Sequence, residues 1–299
     1  MKSLKKLIII PVLLFGLMIS AQETANRFFY ELSFKPKKDS AKIDKVMTVL
    51  DINAKKSIYQ DFTIPAQDSI IKKTVEDMEK SGTFVDIMKT IKMPKFSYKV
   101  YKTYPDMKEL YTDMISRKFF GFEEELKFDW KITTNKEKVG TYNTQKATTE
   151  FGGRKWTAWF SPDIPFQDGP YKFYGLPGLI VKIEDEGKNY SWLLSGNKKI
   201  DNYSEKTESD KINEKYGVNY TPTITSKDKF EKSYNAYKKD PLAEMRPYLT
   251  QEAMSKPMPG GNGQTVGEFV KNQEKIAKDF LNSNDNPIEI SQNVDKNKK

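Results

Sequence analysis

The chain has 299 residues, with 50 Lys and Arg against 41 Asp and Glu, a net charge of +9, and neither His nor Cys. Without imidazole or thiol, a Ser-His-Asp triad, a Cys-His pair, zinc held by nitrogen or sulfur, and His-ligated haem are all excluded, which leaves carboxylate, Lys, Tyr, Ser and Thr chemistry. Charges of opposite sign alternate, as in Lys136-Glu137-Lys138, so no basic face is set aside for nucleic acid.

Lys2, Lys5 and Lys6 precede an apolar stretch over residues 7–19, and Ser20-Ala21-Gln22 offers a small-residue cleavage point after Ala21. This pattern predicts a secretory signal peptide over 1–21, whose apolar part is shorter than the roughly 20 residues of a spanning helix. No later stretch is as apolar. The expected mature chain is therefore soluble, periplasmic or extracellular, and about +6 in charge once the three leader lysines are removed. Lacking Cys, it carries no lipid anchor at a processed N-terminus and no disulfides, which a chain of this size does not need.

The mature chain reads as one domain over 22–290, followed by a polar tail over 291–299. Residues 27–35, 46–52 and 57–64 alternate as strands separated by turns. From Pro65 to about Lys92 the period becomes helical, through Ile70, Ile71, Val75 and Met78 and then Phe84, Ile87, Met88 and Ile91, with a break at Ser81-Gly82. The expected role of this excursion is to cover one face of the sheet. Phe96, Tyr98 and Val100 return to strand alternation, and further strands are expected at 108–116, 118–133, 139–151, 154–161, 177–185 and 188–196. Gly152-Gly153 and Asp185-Glu186-Gly187-Lys188 are hairpin turns, and nearest-neighbour hairpins imply an antiparallel sheet. After a polar stretch, Ser226 caps a helix to about Lys239, residues 251–264 form a loop, and Val266 to Leu281 form a last helix. The expected fold class is mainly β (α+β): a single curved antiparallel sheet or half-barrel with a helical excursion and C-terminal helices.

The most informative stretch is Gly169-Pro170-Tyr171-Lys172-Phe173-Tyr174-Gly175-Leu176-Pro177-Gly178-Leu179-Ile180, where Pro fixes φ and Gly permits turns or close backbone approach. Residues 175–180 spell GLPGLI, and the chain resembles the GLPGLI family of exported proteins from Bacteroidetes-type bacteria. The resemblance extends over Gln145-Lys146-Ala147, Phe151-Gly152-Gly153-Arg154-Lys155-Trp156, Ala158-Trp159-Phe160, Ile164-Pro165 and Gly169-Pro170, and more weakly to Asn286-Pro287-Ile288-Glu289-Ile290. Relatives often carry Cys where Thr144 stands. The resemblance implies no activity, because the family's biochemical function is unknown.

On the strand after Gly153, Trp156, Ala158 and Phe160 share one face, and Lys155, Thr157 and Trp159 share the other. One tryptophan fills the core, and its counterpart needs a second cover, a ligand or solvent. The candidate ligand-binding residues are accordingly Arg154, Trp156, Trp159, Lys172, Tyr174, Gly175, Pro177 and Gly178. Among the acids, Glu123-Glu124-Glu125 and Glu184-Asp185-Glu186 read as solvated edges or turns, and Asp163 with Asp168 flank a Pro-rich loop without the spacing of a calcium loop. No catalytic residue, metal site or cofactor is expected. The leading expectation is a non-catalytic envelope protein that binds a small apolar ligand or a protein partner through the concave sheet and the Gly-Pro loop, by fold-level analogy with lipoprotein carriers. A carboxylate-dependent hydrolase and a structural partner of an outer-membrane assembly are the alternatives.

Overall fold

The computed structural model describes residues 23–290 apart from 84, 86, 88, 89, 117, 216–220 and 259–262. The expected signal peptide and polar tail lie outside the described residues, as do Phe84 and Met88 of the expected excursion.

Strands β1 (Ala25–Phe34), β2 (Asp44–Ile52), β3 (Lys56–Asp61), β4 (Lys99–Thr103), β5 (Lys108–Ile115) and β6 (Lys118–Glu124) follow one another as antiparallel neighbours. A second such run comprises β7 (Lys131–Val139), β8 (Tyr142–Phe151), β9 (Arg154–Ser161), β10 (Leu179–Asp185) and β11 (Tyr190–Ile200). The runs fuse where β11 pairs antiparallel with β1, from Ala25 opposite Ile200 to Phe34 opposite Tyr190. The two-residue β12 (Thr223–Ile224) adds parallel to β6. The result is one open, mostly antiparallel sheet, and the fold is mainly β.

This order places β6 and β7 on opposite sides of the sheet, yet residues 125–130 join them. Eleven strands laid flat would span about 48 Å, whereas seven residue steps reach about 25 Å. The sheet must therefore curl. Direct evidence is the bond from Trp192 Nε1 on β11 to the Tyr59 hydroxyl on β3, 2.8 Å across the concave side with two strands between them in the sheet.

The expected strand 118–133 is thus divided. Glu125, Lys127 and Asp129 are exposed while Leu126, Phe128 and Trp130 are half-buried, so the segment alternates like a strand but crosses the open side of the curl without ladder pairing. Residues 134–138, which fall between the expected strands 118–133 and 139–151, lie inside β7, and the turn falls at Gly140-Thr141. The Gly152-Gly153 hairpin forms as expected, with φ of 57° and 73°, the left-handed pair a tight two-residue turn requires.

The helices are α1 (Thr63–Ala66), α2 (Asp68–Ser81), α3 (Glu208–Lys215), α4 (Lys227–Lys239), α5 (Gln251–Ser255) and α6 (Val266–Leu281). Gly82, at φ 65°, ends α2 where the break is expected, its N–H bonded to the Met78 carbonyl. Contrary to expectation, α2 buries no residue against the sheet. It packs beside α3, and the Asp68 carboxylate accepts the amides of Glu208 at 2.7 Å and Ser209 at 2.8 Å. Asp68 adds to a local capping box that the sequence reading passes over: the Thr207 hydroxyl accepts the Asp210 amide at 3.0 Å and the Asp210 carboxylate accepts the Thr207 amide at 2.9 Å. Ser226 caps α4 as expected, and Thr265 with Glu268 forms a capping box at the start of α6. The expected 251–264 loop contains α5, capped by Thr250.

The main core lines the concave side. Phe28, Tyr30, Leu32 and Phe34 of β1, Leu50 and Ile52 of β2, Trp156, Ala158 and Phe160 of β9, and Trp192 of β11 are all buried there. The side-chain period of two delivers each of these sets to one face.

Candidate functional site

Between β9 and β10 the chain does not turn tightly but enters the concavity as a loop, residues 162–178. Phe173 and Leu176 are buried to 0% and 1% exposure. The Phe173 ring meets Trp156 edge-on at 4.8 Å between centroids, and Tyr171 stacks on Trp192 at 6.4 Å. Phe128 and Trp130 of the crossing segment close over Phe173 from outside.

Gly178 permits the loop to rejoin the sheet. Its φ is 145°, and a β-carbon there would lie 2.2 Å from the Ser161 carbonyl oxygen. Gly169 is constrained differently, since its β-carbon would come within 2.7 Å of the Ile180 side chain.

The loop is anchored by a lysine. Lys102 of β4 is fully buried, and its ammonium donates to the carbonyls of Gly169 at 2.8 Å, Tyr171 at 3.1 Å and Phe173 at 3.3 Å. Its counter-charge is Asp168, at 2.5 Å. Asp168 also accepts the Tyr104 hydroxyl at 2.6 Å and the Gly169 amide at 2.7 Å. A buried ammonium is tolerated only when paired and fully hydrogen-bonded, and here the loop backbone supplies the remaining partners.

Next to this anchor lies a cluster of charges. Glu109 and Glu124 stand directly opposite each other on β5 and β6, and Lys102 stands opposite Glu109 on β4. Lys172 of the loop, itself buried, is paired with Glu124 and with Glu289. It sits 5.2 Å from the ring centres of both Tyr111 and Phe122. Glu289 accepts Lys172 Nζ at 2.5 Å, the Tyr171 hydroxyl at 2.6 Å and Lys227 Nζ at 2.8 Å. Burial alone would raise the Glu289 carboxyl, but the two ammoniums outweigh it and hold the group at about 2.

Glu109 is the exception in the cluster. It is fully buried, and neither carboxyl oxygen has a hydrogen-bond partner among the described residues. Burial pushes its carboxyl up to about 8; Lys102 and Lys172 oppose the rise, and Glu124 and Glu289 add to it. Native Glu109 therefore holds a proton at neutral pH that the unfolded chain has released. Stability contributed this way is complete below about pH 4.3 and is lost as pH rises to about 8, at a slope of up to about 1.4 kcal/mol per pH unit. Asp113, raised to about 6 by burial, acts in the same sense at lower pH. Glu289 acts oppositely, its contribution being lost as pH falls through about 2. Glu109→Gln should match the wild type near pH 4 and exceed its urea-unfolding free energy by about 2–5 kcal/mol at pH 9. An unchanged pH slope between 6.5 and 9 would contradict this assignment.

The C-terminal segment completes the site. Arg154 donates through Nε to the Ile288 carbonyl at 2.9 Å and through Nη2 to the Pro287 carbonyl at 2.7 Å and Asn286 Oδ1 at 2.8 Å. Its Nη1 meets Asp185 at 3.1 Å. Asp185 in turn shapes the β10–β11 turn by accepting the amides of Asn189 and Tyr190. The expected reading of Asp185 as a solvated turn acid is thus corrected: it is buried and fully partnered.

The candidate ligand residues therefore divide. Arg154, Trp156, Lys172 and Gly178 are buried against the chain's own loop and C-terminal segment. Tyr174 is half-buried, its hydroxyl donating to the Leu126 carbonyl, and Gly175 and Pro177 form an exposed tip beside it. Trp159 faces the convex side, with Lys182 Nζ 4.5 Å and Lys146 Nζ 5.9 Å from its ring centre. Asp163 is exposed and Asp168 is committed to Lys102, so the pair does not form a cation site. The grooves among the described residues include one of about 560 Å³ beside Arg27, Asp51 and Asp68, and one of about 490 Å³ between Asn26, Lys55, the core residue Ile52 and Phe166 of the inserted loop.

Lys102 and Glu109 escape the sequence reading, although a signal exists. The alternation Phe96, Tyr98, Val100 continues to Lys102, so a lysine stands at a core-facing position. Glu109 has the same phase as Tyr111 on its strand.

Residues 152–182 match the model of a family described as "Protein of unknown function (Porph_ging)". The matched stretch runs from the Gly152-Gly153 hairpin through the inserted loop into β10, so it coincides with the interior of the site. It fits the expected resemblance to a family without assigned function. No curated protein matches the chain. Among solved structures, PNGF-II in space groups C2 and P21 is similar at 14% identity, with TM-scores of 0.46 and 0.47, over 71% of this chain. The chain spans about a third of the length of those structures, 32% and 33%.

Proposed function

We propose that the protein is an exported, non-catalytic envelope protein of the GLPGLI type, which engages a protein partner through the outward tip of its inserted loop. The carrying observation is that the chain itself occupies the concave side: Tyr171, Phe173 and Leu176 fill the position that an apolar cargo would need. A protein partner is better supported than a small apolar ligand. The tip, Tyr174 to Pro177, is held from below by buried residues and from the side by Trp130, whose Nε1 donates to the Tyr174 carbonyl at 2.8 Å. A rigid, aromatic-flanked turn loses little entropy on docking, and Tyr and Trp are favoured at the centres of protein interfaces.

The absence of Cys makes a direct test simple. A photoreactive probe on Pro177→Cys, placed in the native envelope, should give one discrete cross-linked protein, and the same probe on Lys155→Cys should not. Native mass spectrometry of the protein taken from that envelope should show the bare processed chain. Retention of a lipid-sized molecule, or equal cross-linking from both positions, would overturn the proposal.

A further inference from the structure

Beyond the loop tip, the C-terminal segment has the contacts of a bound peptide. Residues 285–290 follow α6, which packs on α5 with Gly267 against Met254, and then lie across the sheet. Each residue meets a built seat. The Asp285 amide donates to the Pro36 carbonyl at 2.8 Å. Asn286, 3% exposed, bonds through Nδ2 to the Lys35 carbonyl at 3.0 Å and Asn189 Oδ1 at 3.1 Å, and its own carbonyl accepts the Tyr190 hydroxyl. Arg154 reads Asn286 Oδ1 and the next two carbonyls, and Ile288 enters the main core. Glu289 is received by Lys172, Lys227 and Tyr171. The Ile290 amide closes on the Gly152 carbonyl at 2.8 Å.

The seat has been shaped for this backbone. A β-carbon on Gly152 would come within 2.9 Å of the Glu289 Cα, and one on Gly153 would press on Ile290 at 3.3 Å. The Gly-Gly pair thus serves two demands at once, the positive φ of the hairpin and the close passage of an extended chain.

We infer that this seat is a peptide-recognition site for an extended Asn-Pro-aliphatic-acidic segment. Residues 286–289 fill it in cis, and the same segment from a second copy of the chain can fill it in trans. The seat residues lie on β9 to β11, their turns and the inserted loop, apart from Lys35, Pro36 and, on α4, Lys227 and Lys238, while the occupant follows α6 through residues 282–284. Exchange of an identical element between copies keeps every contact of the closed form and requires no new surface. Tethering gives the cis segment a high effective concentration. Trans occupancy is therefore expected when the cis segment is weakened or the protein is concentrated.

The test uses the full chain carrying Asn286→Ala and Glu289→Gln, with a fluorescent synthetic peptide of residues 282–290. Anisotropy should show the peptide binding this variant at least about tenfold more tightly than the wild type, whose seat is filled. A peptide bearing the same two substitutions should not bind, and adding Arg154→Lys to the protein should weaken binding by about tenfold or more. Equal affinity for the native and substituted peptides in a folded variant would overturn the inference. If the variant does not fold, isotopically heavy and light wild-type chains can be unfolded together and refolded at high concentration. Carbodiimide cross-links between a heavy Glu289 and a light Lys227 are then expected, and cross-links confined to like-labelled pairs would overturn it.

Discussion

Replacing Lys102 with Met should lower the unfolding free energy by about 3–5 kcal/mol, the cost of breaking one side of a buried ion pair. Methionine matches the length of the stem but supplies no donor. Asp168 would be left as a buried carboxylate beside only the Tyr104 hydroxyl and the Gly169 amide. The carbonyls of Gly169, Tyr171 and Phe173 would also lose their shared donor, and each unsatisfied buried group costs about 1–3 kcal/mol unless the loop moves to water. Combining Lys102→Met with Asp168→Asn should recover part of the loss by removing the orphaned charge, so the pair should be less than additive. Urea denaturation followed by tryptophan fluorescence measures all three variants, since Trp156 and Trp192 pack on the loop. A loss below about 1 kcal/mol for the single variant would show that the lysine does not hold the loop.

The second large effect is expected at Arg154. Arg154→Ala should cost about 3 kcal/mol or more and release residues 285–290 selectively, because one guanidinium makes four bonds to the segment and to Asp185. Arg154→Lys should restore little. A lysine presents its donors from one point, whereas the segment is read by a planar fork that reaches three successive residues. Limited proteolysis gives the readout: cleavage near residues 282–290 should accelerate while the β1–β11 strands stay protected. Uniform acceleration over the whole chain would place the arginine in general stability rather than in holding the segment. Arg154→Lys behaving as the wild type would show that charge alone suffices.

Much of the sheet is readable from alternation and turn chemistry. The strand that carries Trp156, Ala158 and Phe160 on one face and Trp159 on the other has that arrangement, and the Gly152-Gly153 turn and the 266–281 helix fall where the residues place them. The first three strands and the hairpins from β8 through β11 follow for the same local reason, whereas β7 and its turn at Gly140-Thr141 do not. What is hidden depends on partners distant in sequence. The fusion of β1 with β11 joins residues more than 150 positions apart, and nothing local in either strand specifies the other. Residues 125–130 alternate like β6 before them, so their role as a crossing appears only when the two edges are known.

The site shows the same division. Arg154 and Lys172 are readable as special, but as receptors for an external ligand; their partners are Asn286, Glu289 and Glu124, which the fold alone brings near. The buried charges require four elements at once: a lysine on β4, acids on β5 and β6, and a loop inserted from between β9 and β10. A glycine and proline run announces an unusual backbone path, without stating that the path leads inward.

Residues 168–173 and Leu176 form a fixed interior part of the fold rather than a surface loop. Hydrogen exchange of the intact protein at neutral pH measures this most directly. The amides of Gly169, Phe173, Gly175 and Ile180, bonded within the loop and to its edges, should exchange as slowly as those of β10 and β11. Exchange of that segment within seconds, with the neighbouring strands still protected, would contradict the account.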